Sequence, residues 1–183
     1  QLGMSILEAE ENGFILDESQ GYLLKDKYVA FLGTSSRAGH VQSQNPTPTP
    51  LTVAVTIPTD ANCLVVGAVF DNEDVGITLA ATCNGVGMSS LGTVHTGAST
   101  YGFLQIFYLM SPTSGNVVIT ASGTVDTYNN ILALTGFYAN AGTPTGFTPN
   151  SGTGTAIASS VSAPTDGVGA HFAAAAKAIA AAQ

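Results

Sequence analysis

The sequence has few charged residues and no tryptophan. Charged residues make up 9% of the 183 residues, against about 25% in typical soluble domains. No lysine or arginine occurs between Arg37 and Lys177. Because nucleic-acid affinity depends on basic residues that neutralise phosphates, this absence argues against direct DNA or RNA binding by the main part of the chain. The surface must instead consist largely of Thr, Ser, Asn and Gly, which suits an extracellular or particle-bound protein better than a cytosolic enzyme.

Cysteine is also scarce, and no apolar run is long. Cys63 and Cys83 are the only cysteines; they could form a disulfide in a secreted chain or serve as two small buried apolar side chains. No apolar run reaches 18 residues, so the sequence predicts no transmembrane helix and no membrane insertion. The first residues show no basic segment followed by an apolar one, so we expect no signal peptide there.

The sequence patterns of common catalytic sites are missing. There is no G-x-S-x-G nucleophile motif and no G-x-x-x-x-G-K-[ST] phosphate loop. Glycoside hydrolysis needs a pair of carboxylates facing a groove, but Asp60, Asp126 and Asp166 have the neighbours of turn residues. The sequence therefore predicts a protein that is not an enzyme and carries no cofactor.

The most informative stretch that is present is YGFLQIFYLM, residues Tyr101 to Met110. In a strand, alternate side chains point to opposite faces, so Phe103 and Phe107 face one way and Leu104 and Ile106 the other. An antiparallel strand with one wet face should alternate apolar and polar residues. Both faces of this strand are apolar, so we expect the N-terminal arm or a neighbouring subunit to cover the outer one.

Short strands with turn signals between them recur along the chain. Leu51 to Ile57 alternates cleanly, whereas Cys63 to Phe70 and Asn130 to Tyr138 are apolar on both faces. Asn84-Gly85 is a hairpin signal. This pattern predicts an all-β fold, an antiparallel β-sandwich that is jelly-roll-like and has an N-terminal arm. Further strands are predicted at residues 28–32, 77–83, 88–94 and 116–122.

Two regions are predicted. Residues 1–27 form an acidic N-terminal arm, and residues 28–183 form the sandwich domain, with a Pro/Ser/Thr-rich loop or linker at 33–50. The arm contains two short apolar runs around a turn, which predict a hairpin. A lone hairpin is marginally stable, so the arm either anchors the chain in an assembly or folds back on its own sandwich. The residues predicted to mediate assembly are Phe14, Ile15, Leu16, Tyr22, Leu23 and Leu24.

An acidic turn is the one candidate metal site. Asp71, Glu73 and Asp74 offer the hard oxygen ligands that Ca²⁺ prefers, but their spacing is not that of an EF-hand loop, and a solvated turn is the simpler interpretation. His40, His95 and His171 lack metal-ligand spacing.

Loop aromatics leave carbohydrate binding open. Tyr128 and Phe147 lie at or near predicted loops and could stack on a sugar, while Asn150 could hydrogen-bond to hydroxyl groups. Tryptophan, usually the best stacking surface, is absent. The competing interpretation is that these aromatics cap the ends of the sandwich.

The order of several motifs resembles a known domain family. The motifs are LVVGAVFDNED (Leu64 to Asp74), CNGVGMSSLG (Cys83 to Gly92), FLQIFYLMSPTSGNVVITASG (Phe103 to Gly123) and LALTGFYANAGTP (Leu132 to Pro144). Together they resemble a divergent jelly-roll or Ig-like β-sandwich domain of phage virion structural proteins, of fibre or head-decoration type, which also occurs in large secreted bacterial proteins. In that pattern Trp-Tyr is frequent where this chain has Phe107-Tyr108, and further strands would follow beyond Gln183.

The resemblance covers residues 51–172 and implies a fold more than a function. It implies a non-enzymatic structural protein of the virion, a fibre or capsid-decoration subunit that forms homo-oligomers and contacts other virion proteins. The alternative is a glycan-binding or adhesion module at the surface of a bacterial cell, with a cell-surface glycan as partner. Neither function requires a cofactor.

Overall fold

The computed structural model describes residues 14–17, 22–25, 29–34, 39–43, 49–71, 77–95, 102–123 and 129–150. Every regular element in these residues is a β-strand. The strands are β1 (Phe14–Asp17), β2 (Tyr22–Lys25), β3 (Ala30–Thr34), β4 (Gly39–Ser43), β5 (Leu51–Val55), β6 (Cys63–Asp71), β7 (Thr78–Cys83), β8 (Val86–Gly87), β9 (Ser89–His95), β10 (Phe103–Met110), β11 (Gly115–Ser122) and β12 (Asn129–Ala139).

The strands form two main sheets that pack face to face. The first is six-stranded, with β12, β6, β10 and β9 side by side and both β3 and β4 paired to the free edge of β12. The second is four-stranded, in the order β5-β11-β7-β8. All pairs are antiparallel. The predicted all-β antiparallel sandwich is confirmed.

The main core lies between the two sheets, because each strand turns its alternate apolar residues inward. In β5, Leu51, Val53 and Val55 are buried while Thr52 and Ala54 are exposed, as the alternation predicts. The same alternation buries Val117, Ile119 and Ala121 of β11. From the six-stranded sheet, the inner face contributes Leu64, Val66, Ala68, Phe70, Phe103, Phe107, Ile131, Ala133 and Phe137.

Several strand ends differ from the sequence prediction. β5 ends at Val55 rather than at Ile57; the backbone N–H of Ile57 donates instead to Ser114 Oγ at 2.9 Å. The first sandwich strand, β3, begins and ends two residues later than predicted. Part of the predicted loop at 33–50 forms β4, whose side-by-side partner is the first half of β12. This segment forms a strand because it pairs with β12, which is distant in the sequence. The local composition of residues 33–50 does not reveal that pairing.

The hairpin predicted at Asn84-Gly85 is present between β7 and β8. Both turn residues have positive φ, 48° for Asn84 and 80° for Gly85. A two-residue turn with both φ values positive is of type I′, which matches the natural twist of the flanking strands. The Asn84 side chain also donates to Thr113 Oγ1 at 3.1 Å, so this turn is tied to the loop that precedes β11.

Thr135 is a polar residue in an apolar setting, and its replacement should stabilise the fold. Its side chain is 1% exposed, it pairs with Val66 in the register, and its hydroxyl has no hydrogen-bond partner. Since an unpaired buried hydroxyl is costly, Thr135→Val should raise the free energy of unfolding by about 1 kcal/mol. Urea denaturation followed by circular dichroism measures this.

The matched control for that change is Thr120→Val, since Thr120 is an exposed threonine in the middle of β11. It should change stability by less than about 0.5 kcal/mol. A loss of stability in Thr135→Val would show that the hydroxyl has a partner in solution.

Candidate functional site

The six-stranded sheet is apolar on its outer face as well as its inner one. In β10, Phe103 and Phe107 are 3% and 2% exposed on the inner face, and Leu104 and Ile106 are 7% and 6% exposed on the outer face. The buried members of the outer cluster are Cys63, Val65, Leu104, Ile106 and Tyr138. A single chain therefore contains a second apolar cluster that the four-stranded sheet does not cover.

The chain that follows β12 packs on this outer cluster. Ala141 and Phe147 belong to residues 140–150, which have no regular structure, and both contact the cluster, as does Val29 just before β3. The sequence analysis predicted the N-terminal arm or a neighbouring subunit as the cover. The segment 140–150 is a cover that it did not predict, and the side chains of the arm lie outside the described residues.

Phe147 fits over a glycine at an irregular point of the sheet. The register of β9 against β10 shifts between Ile106 and Phe107, so that Leu91 has no partner. The next residue, Gly92, lies under the Phe147 ring: a Cβ added to it would stand 2.3 Å from Phe147 Cδ1. Only glycine leaves room for the ring at this position.

Asn62 fixes the beginning of the covering segment. Its side-chain amide donates to the Ala141 carbonyl at 2.8 Å and accepts from the Ala141 N–H at 2.9 Å. Its backbone N–H donates to the Tyr138 carbonyl, and its carbonyl accepts from the Ser111 N–H. Asn62 thus joins the loop before β6, the end of β10 and the end of β12. These bonds fix the position from which residues 141–147 cross the outer face.

A methyl group at Gly92 should loosen this cover. We expect Gly92→Ala to lower the free energy of unfolding by about 1–3 kcal/mol, the cost of inserting a group into a packed site. Gly87→Ala is the matched control, because Gly87 is also a strand glycine and has nothing within 4 Å of an added Cβ. Chemical denaturation of both variants gives the comparison.

A double-mutant cycle identifies the cause of that loss. In a Phe147→Ala background the clash is gone, so Gly92→Ala should become neutral or slightly stabilising, as alanine is less costly than glycine within a strand. An equal loss in both backgrounds would mean that Phe147 does not lie over Gly92 in solution.

The two cysteines are free and buried. Cys63 belongs to the outer cluster and Cys83 to the inner core, so the disulfide that the sequence left open is not formed. Burial raises the pKa of the Cys63 thiol to about 11 and also raises the pKa of Cys83. Burial, and then the nearby Cys63, raise the pKa of the Tyr138 hydroxyl. All three groups are therefore neutral at physiological pH, and none is suited to nucleophilic chemistry.

The thiols should be unreactive in the folded chain. Since the thiolate is the reacting species, a rise of about two pKa units makes Cys63 about 100-fold less reactive at pH 8 than an exposed cysteine. Reaction with a chromogenic disulfide, with and without urea, measures the ratio. Equal rates in the folded and unfolded chain would contradict the burial of both thiols.

Part of the outer face remains exposed. Phe31 of β3 is 53% exposed, and Leu134 of β12 is 40% exposed. Between them, the Tyr138 ring stacks at a tilt on Phe31 with centroids 5.4 Å apart and lies over Gly136, where an added Cβ would be 3.3 Å from the ring. We call Phe31, Tyr138 and Leu134 the outer-face strip. The sequence analysis missed this strip because the alternation of side chains along a strand shows which residues share a face. It does not show which apolar residues of that face stay exposed.

The predicted assembly residues form a hairpin, as expected. Leu16 pairs with Leu23 and Ile15 with Leu24 in the register of β1 and β2. The two strands make a sheet of their own, and no described strand of the sandwich pairs with either of them. The docking role of Phe14, Ile15, Leu16, Tyr22, Leu23 and Leu24 stays a prediction.

The predicted calcium turn is only partly described. Asp71 is the last residue of β6, whereas Glu73 and Asp74 lie outside the described residues. In the part of the chain that the structure describes, no group of three His, Cys, Asp or Glu side chains is placed to hold a metal ion.

The predicted glycan contacts are only partly described. Phe147 packs into the outer cluster, Asn150 is exposed at the end of the segment 140–150, and Tyr128 lies outside the described ranges. Stacking on a sugar by Phe147 would compete with its packing over Gly92. Glycan binding stays a prediction, and a glycan array with Tyr128→Ala and Phe147→Ala variants would examine it.

No protein-family model, curated protein or solved structure matches the chain. Within the described ranges, no helix is long and apolar enough to cross a membrane.

Proposed function

We propose that this protein is a non-enzymatic structural subunit of a phage particle, of fibre or capsid-decoration type, that works by homo-oligomeric assembly. The observation that carries the proposal is the separate β1–β2 hairpin, which has apolar residues in both strands and pairs with no described strand of the sandwich. A two-stranded hairpin is marginally stable by itself. An assembly supplies the contacts that would stabilise it.

The distribution of charge supports an assembly role. Six acidic residues lie in the first 27 residues, namely Glu8, Glu10, Glu11, Asp17, Glu18 and Asp26. The exposed positions of the described sandwich strands are instead mostly uncharged, as in β5, β9 and β11. Uncharged surfaces let copies approach each other without repulsion between like charges. The placement in a virion, with other virion proteins as partners, draws on the resemblance of the strand motifs to phage structural domains.

Two measurements test the proposal. Size-exclusion chromatography with light scattering should show an oligomer at micromolar concentration, and immunogold electron microscopy of purified particles from the source should label them at regular positions. A stable monomer that joins no phage particle would overturn the proposal.

Gradient sedimentation supplies the control. Chain that is merely trapped with particles should be removed by a high-salt wash and repeated banding, whereas a structural subunit should remain at a constant ratio to the particle.

A further inference from the structure

The outer cluster and the inner core are two separate groups of side chains. The inner core lies between the two sheets, whereas the outer cluster lies on the other side of the six-stranded sheet. The strand pairs of that sheet extend along β12 no further than Ala139. The segment 140–150 can therefore leave the outer cluster without breaking a strand pair and without opening the inner core.

The segment 140–150 is attached to the six-stranded sheet at two points. At its start, the Asn62 side chain bonds to both the N–H and the carbonyl of Ala141, at 2.9 and 2.8 Å. Further along, Phe147 packs on the outer cluster. Of the residues between these two points, Pro144 is partly buried and the others are exposed. Much less of this segment is buried than of the strands on which it lies.

The local structure of the segment also favours its release. Residues 141–150 have no regular structure, and parts of a protein with few buried contacts open more readily than packed strands. Asn140 has a φ of 54°, a left-handed conformation that asparagine tolerates better than most residues. Asn140 is exposed, so the bend between β12 and the segment lies at the surface, where it is free to change.

We infer that the segment 140–150 opens and closes as one unit while the sandwich stays folded. The closed form covers the outer cluster, and the open form exposes this apolar surface to solvent. The opening takes place within one chain, so it goes beyond the proposed assembly function and does not depend on it.

The two attachments should open together because each protects the other. The bonds between Asn62 and Ala141 are partly buried, and Ala141 and Phe147 pack on the same outer cluster. Once Phe147 has left, water can reach these bonds, and a hydrogen bond that competes with water contributes little to stability. Release of one end of the segment therefore weakens the hold on the other.

Cys63 provides a probe of this opening. Its thiol is 1% exposed, it belongs to the outer cluster, and it follows Asn62 directly in the sequence. Alkylation of the full chain, measured at a concentration where it is monomeric and assigned to Cys63 by mass spectrometry, gives the rate of reaction through the open form. This rate should exceed the rate through global unfolding and rise little with urea, since opening exposes much less surface than unfolding.

Three variants separate local opening from unfolding. Phe147→Ala should raise the rate of Cys63 alkylation about tenfold or more, because the closed form loses its largest apolar contact. The control Thr145→Ala changes an exposed residue of the same segment and should leave the rate unchanged. Val53→Ala weakens the inner core and should increase the unfolded population about tenfold or more, yet leave Cys63 alkylation unchanged, because the closed and open forms share that core.

Hydrogen exchange of the Ala141 amide gives a second measurement at the other end of the segment. This N–H donates to the Asn62 side chain in the closed form, so it exchanges when the segment opens. The Ala141 amide and the Cys63 thiol should report the same opening equilibrium, and Phe147→Ala should shift both by the same factor.

Each contrary result has a definite meaning. Alkylation of Cys63 only through global unfolding, with the full dependence on urea, would overturn the inference, as would a rise in this rate in Val53→Ala that equals the rise in unfolded population. An unchanged exchange rate of Ala141 in Phe147→Ala would show that the two attachments open separately, which also overturns it. A parent chain that is always monomeric would overturn the proposed assembly function and leave this inference standing.

Discussion

Replacing Phe70 with alanine should lower the free energy of unfolding by about 3–5 kcal/mol, the range for a large aromatic residue removed from a packed core. Phe70 is 0% exposed and stacks on Phe103 with ring centroids 5.7 Å apart. It lies in β6, where its partners are Phe103 on one side and Ile131 on the other. The cavity would therefore lie beside three hydrogen-bonded strands, β10, β6 and β12, which cannot easily shift to fill it.

Urea denaturation followed by far-ultraviolet circular dichroism measures the effect. Phe31→Ala is the matched control, because Phe31 is 53% exposed; measured at a concentration where the chain is monomeric, it should cost less than about 1 kcal/mol. Similar losses for the two variants would show that the inner core is not packed around Phe70.

Replacing Ile106 with alanine should cost about 2–4 kcal/mol, as for an aliphatic residue in a core. Ile106 is 6% exposed, yet it faces away from the four-stranded sheet and belongs to the outer cluster. A sandwich with one core would tolerate this change at little cost. A large loss would demonstrate that the outer face is a second core within one chain.

The comparison for Ile106 is a residue of the same sheet face. Leu134 is 40% exposed, and Leu134→Ala in the monomer should cost less than about 1 kcal/mol. If Ile106→Ala is as mild as Leu134→Ala, the outer cluster is not formed in solution.

Much of the sandwich could be predicted from the sequence. Alternation identified the inward residues of β5 and β11, and the apolar residues on both faces of β10 (Phe103–Met110) correctly indicated a strand with two buried faces. The Asn84-Gly85 turn followed from local backbone preferences. These features depend on neighbours a few residues apart, and such neighbours are visible in a sequence.

The cover of the outer face could not be predicted in the same way. The bonds from Asn62 to Ala141 join residues 79 positions apart, and the space that Phe147 needs is provided by Gly92. Alternation tells which residues share a face but does not tell what packs on it. For the same reason, β4 was not predicted within residues 33–50, because its pairing partner β12 is distant in the sequence.

The position of β6 in the sheet has a consequence for synthesis of the chain. β6 (Cys63–Asp71) acquires its two neighbours from β10 (Phe103–Met110) and β12 (Asn129–Ala139), both of which leave the ribosome later. Until then this strand, apolar on both faces, has neither neighbour, and such exposed strands are prone to aggregate. An unpaired β6 can therefore associate with other nascent chains until β10 and β12 have been made, so rapid translation past β12 favours correct folding.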